Sequence, residues 1–216
     1  MNTHQVTVLD YGIGNLLNVV RALEHCGATV RVAERASEVS EMPDRMVLPG
    51  VGAFANAAIE IRQRGFDDLV HRFAATQRPF LGICVGAQLL FDVSEEHGDH
   101  PGLGLIPGRV QAVPSVAPDG ATLRIPHIGW SRLALPGPRT DWHRTPLAGV
   151  SPGESVYFVH SYAAVPTDEA HRLADTHYHG VRICAAVARD NIFGCQFHPE
   201  RSAAAGLGIL QQFLNL

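Results

Sequence analysis

Residues 80–91 run from Phe80-Leu81-Gly82-Ile83, an apolar strand pattern, through Cys84 into Ala87-Gln88-Leu89-Leu90-Phe91, which reads as the first turns of a helix. Cys84 falls in the turn between them, with Gly82 and Gly86 two residues away on either side. A Gly-x-Cys-x-Gly turn at a strand-to-helix junction is a nucleophile elbow, in which small flanking residues allow a tight backbone that presents the central side chain to a crevice. At a helix start, free N–H groups and the positive dipole end favour thiolate over thiol, and thiolate is the attacking species. The same groups, chiefly the Val85 N–H, could stabilise an oxyanion.

The surrounding pattern is a βαβ winding. Val6-Thr7-Val8-Leu9, Thr29-Val30-Arg31-Val32 and Arg45-Met46-Val47-Leu48 read as strands, with helices expected at about Asn15–Cys26 and Ala53–Arg64. Gly and Pro are frequent from Gly98 to Gly153, where antiparallel strands and long loops are expected. Strand-like runs return at Ser155–Val159, Val181–Val187 and Ile192–Phe197, before a closing helix at about Ala203–Asn215. The pattern predicts an α/β fold of three layers: a mostly parallel central sheet flanked by helices, with additional antiparallel strands. No linker or repeat interrupts it, so residues 1–216 are expected to form one domain.

His198-Pro199-Glu200 lies more than a hundred residues beyond the elbow. Proline keeps the preceding residue extended, and in an extended segment residues i and i+2 share a face, so Glu200 could orient the imidazole of His198. In open α/β sheets ligands bind at the carboxyl ends of strands. Three elements fall there: Gly50 to Gly52, Cys84, and His198 with Glu200. The Pro49-Gly50-Val51-Gly52 loop could supply a second oxyanion donor. Gln88, one helical turn past Cys84, faces the same side and could bond the substrate.

Other chemistries find less support. Cys26, Cys184 and Cys195 read as buried hydrophobes with no Cys-x-x-Cys spacing. Among twelve histidines, His177 and His179 have no acidic or cysteine partner at ligand spacing, so no metal and no cofactor are expected. Asp10-Tyr11-Gly12-Ile13-Gly14-Asn15 lacks the full dinucleotide fingerprint. A formal charge of −4 without basic blocks disfavours nucleic acid and anionic membranes, and no apolar run approaches a membrane span. Met1-Asn2-Thr3 leads into the first strand without a secretory pattern, which predicts a cytosolic protein. On residues alone, a stand-alone cysteine hydrolase and a catalytically silent scaffold stay open beside a partnered enzyme.

The elbow and His198-Pro199-Glu200 together resemble the class I (triad) glutamine amidotransferases. Within that class the chain resembles the glutaminase subunits of imidazole glycerol phosphate synthase. Four stretches carry this resemblance: residues 10–16, Pro49–Phe54, His127-Ile128-Gly129-Trp130, and Tyr157-Phe158-Val159-His160-Ser161-Tyr162. Val85, Ala87 and Arg201 depart mildly from the family pattern. The resemblance implies glutamine as substrate, Cys84, His198 and Glu200 as catalytic groups, and Ser161 and Tyr162 as backbone contacts to it. It also implies a heterodimer with a cyclase subunit of (βα)8-barrel type that consumes the ammonia in histidine biosynthesis, docked near His127–Trp130 and Tyr11.

Overall fold

The computed structural model describes residues 4–137 and 139–216. The expected lead-in at Met1-Asn2-Thr3 lies outside the described residues. Along the chain run β1 (His4–Leu9), α1 (Leu16–His25), β2 (Ala28–Ala33), β3 (Arg45–Leu48), α2 (Phe54–Gln63), α3 (Phe66–Ala74), β4 (Phe80–Ile83) and α4 (Val85–Gln88). There follow β5 (Phe91–Ser94), β6 (His100–Pro101), β7 (Ile106–Ala112), β8 (His127–Arg132), β9 (Ser155–His160) and β10 (Tyr162–Pro166). The chain closes with β11 (Arg172–Tyr178), β12 (Val181–Arg189), β13 (Ile192–Cys195) and α5 (Ala203–Leu214).

Seven strands form the main sheet in the order β11-β12-β13-β4-β3-β1-β2. The five from β13 to β2 are parallel, while β11 and β12 add antiparallel pairs. All four residues of β4 and the last three of β3 are buried, as a parallel sheet covered on both faces requires. The chain moves outward from β1 to β2 and in the opposite direction from β3 to β4. With right-handed crossovers this puts α1 and the α2–α3 pair on opposite faces. The contacts agree, α1 packing with α5 and α2 with α3. In α3 the residues Phe66, Leu69, Val70 and Phe73 are buried at helical spacing, with Asp67 and Asp68 in the first turn and His71 and Arg72 in the last. Each such burial contributes roughly 1.5–3 kcal/mol.

A four-stranded sheet, β10-β7-β5-β6, and a two-stranded hairpin, β8-β9, complete the fold. The helix expected after the elbow is a single turn, α4, and Phe91 already begins a strand. Its carbonyl and those of Leu89 and Leu90 are taken by the N–H groups of residues 103–106, which draws the chain into the second sheet instead of a long helix. Pro199 likewise starts a 3-10 turn, Pro199–Arg201, and only His198 is extended. No helix among the described residues is long and apolar enough to cross a membrane.

Candidate active site

Strands β13, β4 and β3 are neighbours, and in register Cys195 stands beside Ile83 and Leu48 beside Gly82. Their carboxyl ends therefore release three segments side by side: Gln196 to Glu200, Cys84, and Pro49 to Gly52. Cys84 adopts φ 54° and ψ −111°. This sharp turn is pinned by its N–H on the Cys195 carbonyl, 2.7 Å, and by the Ala87 and Gln88 N–H groups on its own carbonyl, 3.0 and 3.1 Å. The flanking glycines are needed because the turn folds back on the strand. A Cβ on Gly82 would stand 2.6 Å from the Gly86 carbonyl, and one on Gly86 would meet the Leu48 carbonyl.

His198 is held by its N–H on the Tyr157 carbonyl, 3.0 Å, and by the Ser202 hydroxyl on its own carbonyl, 2.6 Å. Its Nδ1 donates to Glu200 Oε1 at 2.8 Å, and both side chains are buried. Nε2, the other ring nitrogen, makes no hydrogen bond. Burial works against charge on this imidazole, but the nearby Cys84 sulfur and the bond and charge of Glu200 outweigh it and push the pKa up to about 10. The arrangement favours an imidazolium beside the Cys84 sulfur. The remaining cysteines face no such partner: burial pushes the Cys184 thiol up to about 12 and raises those of Cys195 and Cys26.

Cys84 and His198 line a crevice of about 250 Å³ together with Val51, Gly52, Val85, Gln88, Ser161 and Tyr162. That is below the roughly 300–1,000 Å³ of pockets for drug-sized ligands, and it suits something as small as an amino acid. Of the residues expected from sequence, Glu200 stands behind His198, and Gly50 contributes its carbonyl, which accepts the Val85 N–H at 3.3 Å. The Val85 donor, expected to be free for an oxyanion, is thus occupied in this conformation. With four residues, α4 also lends Cys84 less dipole than a full helix would.

A model of the family described as "Glutamine amidotransferase class-I" matches residues 7–215. The chain belongs to the class-I glutamine amidotransferases. A subunit HisH 1 of imidazole glycerol phosphate synthase from Legionella pneumophila (strain Lens) is 46% identical over 211 residues, covering 98% of this chain and 99% of that protein. A HisH subunit from Syntrophotalea carbinolica is 44% identical over 209 residues, covering 96% and 98%. Among solved structures, PurLQS from Thermotoga maritima superposes with a TM-score of 0.72 over 99% of this chain and 98% of that one. At 19% identity that likeness carries the fold alone. Within its class, this amidotransferase belongs to the HisH family.

Several further groups stand in or beside this amidotransferase's crevice. Glu96 lines it, with Oε2 accepting the Phe54 N–H at 2.6 Å. Gln196 reaches the Cys84 sulfur, Nε2 to Sγ 3.7 Å, and accepts from Gln88 Nε2 at 3.0 Å. His160, another lining residue, is hydrogen-bonded to His127, and both rings are buried. Burial lowers them to about 3 and about 4 respectively, so both are neutral at pH 7. Tyr11 is buried, its hydroxyl unpartnered beside Gly50. Burial, with charge from Cys84 and Asp10, raises its pKa. Glu96 and Gln196 carry no local sequence signal, since each acquires its partner from a distant part of the chain.

Proposed function

We propose that residues 1–216 act as one glutaminase domain in which Cys84, His198 and Glu200 hydrolyse glutamine. Membership of the HisH family sets the frame: the chain is the glutamine amidotransferase subunit of imidazole glycerol phosphate synthase, in histidine biosynthesis. The observation that carries the catalytic reading is the His198 ring, anchored through Nδ1 to a buried carboxylate while Nε2 is left unpaired in the crevice beside Cys84. A thiol, a base and an orienting acid in that order are the parts of nucleophilic acyl transfer.

In this reading the Cys84 thiolate attacks the γ-carboxamide carbon of glutamine, and the carbonyl π pair moves onto oxygen. The oxyanion is received by the N–H groups of Val85 and of the Val51-Gly52 loop. Val85 becomes available when the Gly50 carbonyl turns away, a peptide rotation that glycines at 50 and 52 make sterically accessible. His198 protonates the departing nitrogen, releasing ammonia and leaving a glutamyl thioester. It then takes a proton from water, whose oxygen attacks the thioester carbon, and the tetrahedral adduct expels the thiolate to give glutamate. Gln88 and the backbone of Ser161 and Tyr162 bound the glutamine. Glu96, with Oε1 uncommitted, would accept its α-ammonium.

Ammonia in water is mostly protonated at neutral pH and then is no nucleophile, so it must pass to its acceptor along a dry path. The partner we propose is a (βα)8-barrel cyclase, joined as a heterodimer in the cytosol. It would use the ammonia to make imidazole glycerol phosphate and an aminoimidazole carboxamide ribonucleotide. Ile128 and Trp130, 55% and 54% exposed on β8 next to the crevice wall, offer it an apolar contact. Cys84→Ala in the assembled enzyme should abolish glutamine-dependent synthesis and leave ammonium-dependent synthesis intact. Loss of both in a folded complex would overturn this division of labour. Glutamate release by the isolated chain at the full rate of the complex would overturn the gating by Gly50.

A further inference from the structure

We infer that Gln196 serves the proposed glutaminase reaction as an amide N–H donor to the Cys84 sulfur, its orientation dictated by a chain of hydrogen bonds that runs from the Tyr162 carbonyl through Gln88. The inference rests on the reading of Cys84 as nucleophile.

The Tyr162 carbonyl fixes the sense of the whole chain, because a carbonyl can only accept. His160 Nδ1 lies 2.9 Å from it and must carry the hydrogen. In a neutral ring Nε2 is then an acceptor, so His127 Nδ1, 3.0 Å away, is the donor to it. His127 Nε2 in turn accepts from the Ser131 hydroxyl at 2.8 Å. Burial keeps both rings neutral, which this assignment requires. The same Tyr162 carbonyl accepts from Gln88 Nε2 at 3.0 Å, so Gln88 presents its NH2 group, and the second hydrogen goes to Gln196 Oε1, also at 3.0 Å. Gln196 therefore has its oxygen engaged and its NH2 turned to the sulfur, 3.7 Å away and within reach of a large, soft acceptor.

Ser131, His127 and His160 from β8 and β9 thus meet Gln88 from α4 at the Tyr162 carbonyl, and Gln88 in turn aims Gln196 at the sulfur. Gln196 is 4% exposed and Gln88 5%, so water does not compete for these amides. A donor to sulfur favours the charged form of the nucleophile and the same form as leaving group when the thioester is hydrolysed. It acts in addition to His198, which both donates and accepts protons in the cycle. Gln196 does not titrate and holds the sulfur throughout.

The test is the pH profile of Cys84 alkylation by iodoacetamide in the full chain, quantified on the Cys84 peptide by mass spectrometry. Gln196→Met keeps the volume and removes the donor without adding charge. The alkylation midpoint should move up by about one pH unit, a roughly tenfold loss of thiolate at pH below the midpoint. Gln88→Met, which releases Gln196 from its steering contact, should shift the midpoint in the same direction by less, and it carries the test if Gln196→Met does not fold. A space-filling role for Gln196 would leave the profile unmoved. An unchanged midpoint in a variant with wild-type circular dichroism overturns the inference while Cys84→Ala still abolishes glutamine use. Glutamine use surviving in Cys84→Ala would overturn the nucleophile reading and the inference together.

Discussion

The backbone at Cys84 makes a prediction about stability that is independent of chemistry. At φ 54° and ψ −111° an L-residue is held in a region natural to glycine, at a strain of about 1–3 kcal/mol. Comparing Cys84→Gly with Cys84→Ala cancels the loss of the thiol itself, since both variants lack it. Going from alanine to glycine forfeits about 0.8 kcal/mol of methyl burial at a residue only 4% exposed, and about 0.5–1 kcal/mol of backbone entropy. At an ordinary buried position glycine would thus be less stable by roughly 1.5 kcal/mol. Relief of strain offsets that, so the glycine variant should lie between about 0.5 kcal/mol below the alanine variant and about 1.5 kcal/mol above it. For a chain of this length 1 kcal/mol corresponds to roughly 2–4 °C in Tm. Denaturant and thermal unfolding of the two variants, side by side, measure the difference. A glycine variant less stable than the alanine one by about 1 kcal/mol or more would refute the argument that the elbow is strained.

Other expectations follow from the site and the core. Glu200→Gln should lower kcat of glutamine hydrolysis in the assembled enzyme by about a hundredfold or more, because it removes the charge that orients and stabilises the His198 imidazolium; steady-state kinetics on glutamine would reveal it, and an unchanged kcat would remove Glu200 from the machinery. Glu96→Gln should raise KM for glutamine about tenfold with a smaller effect on kcat, if the carboxylate receives the α-ammonium. Gly86→Ala should destabilise by about 3 kcal/mol or more, since its Cβ meets the Leu48 carbonyl and the backbone there cannot retreat; the denaturation midpoint reads this directly. The neutral His127–His160 pair has pKa values below those of the unfolded chain. Its stabilising contribution is therefore fully present above about pH 6.5 and is lost as pH falls toward the folded values of about 4 and about 3. Each histidine should contribute a slope of about 1.4 kcal/mol per pH unit in that window, and His127→Gln should flatten it.

What could be read from sequence and what could not divides along physical lines. Cys84 between Gly82 and Gly86, and His198 with Glu200, are visible because their constraints are local: a turn that excludes Cβ atoms, and an acid two residues from its base. The winding from β1 to β4 is visible because β3 and β4 are near-continuously apolar and β1 and β2 carry β-branched residues between helical stretches. The length of α4 is not, because Leu89, Leu90 and Phe91 are as apolar in a helix as in a strand, and the decision is made by N–H donors of residues 103–106. The contact between His198 and Glu200 forms, but through a 3-10 turn and not the extended segment that the spacing suggested. The role of Gln196 and the pairing of His127 with His160 stayed hidden because each finds its partner across 33 or more residues of chain. Tyr11 and Trp130 exchange the environments that residue type suggests, the tyrosine buried and the tryptophan open to solvent.

The three loops that bring the site together spring from adjacent strands of a sheet buried on both faces, whereas the exposed Ile128 and Trp130 sit on a hairpin outside that sheet. Selection can therefore act on the two separately. Drift in the hairpin's outer side chains can retune which protein is recognised, while the spacing of nucleophile and base rests on interstrand distances and on the backbone of Tyr157 that anchors His198. A fold divided in this way can change its customer while keeping its trade.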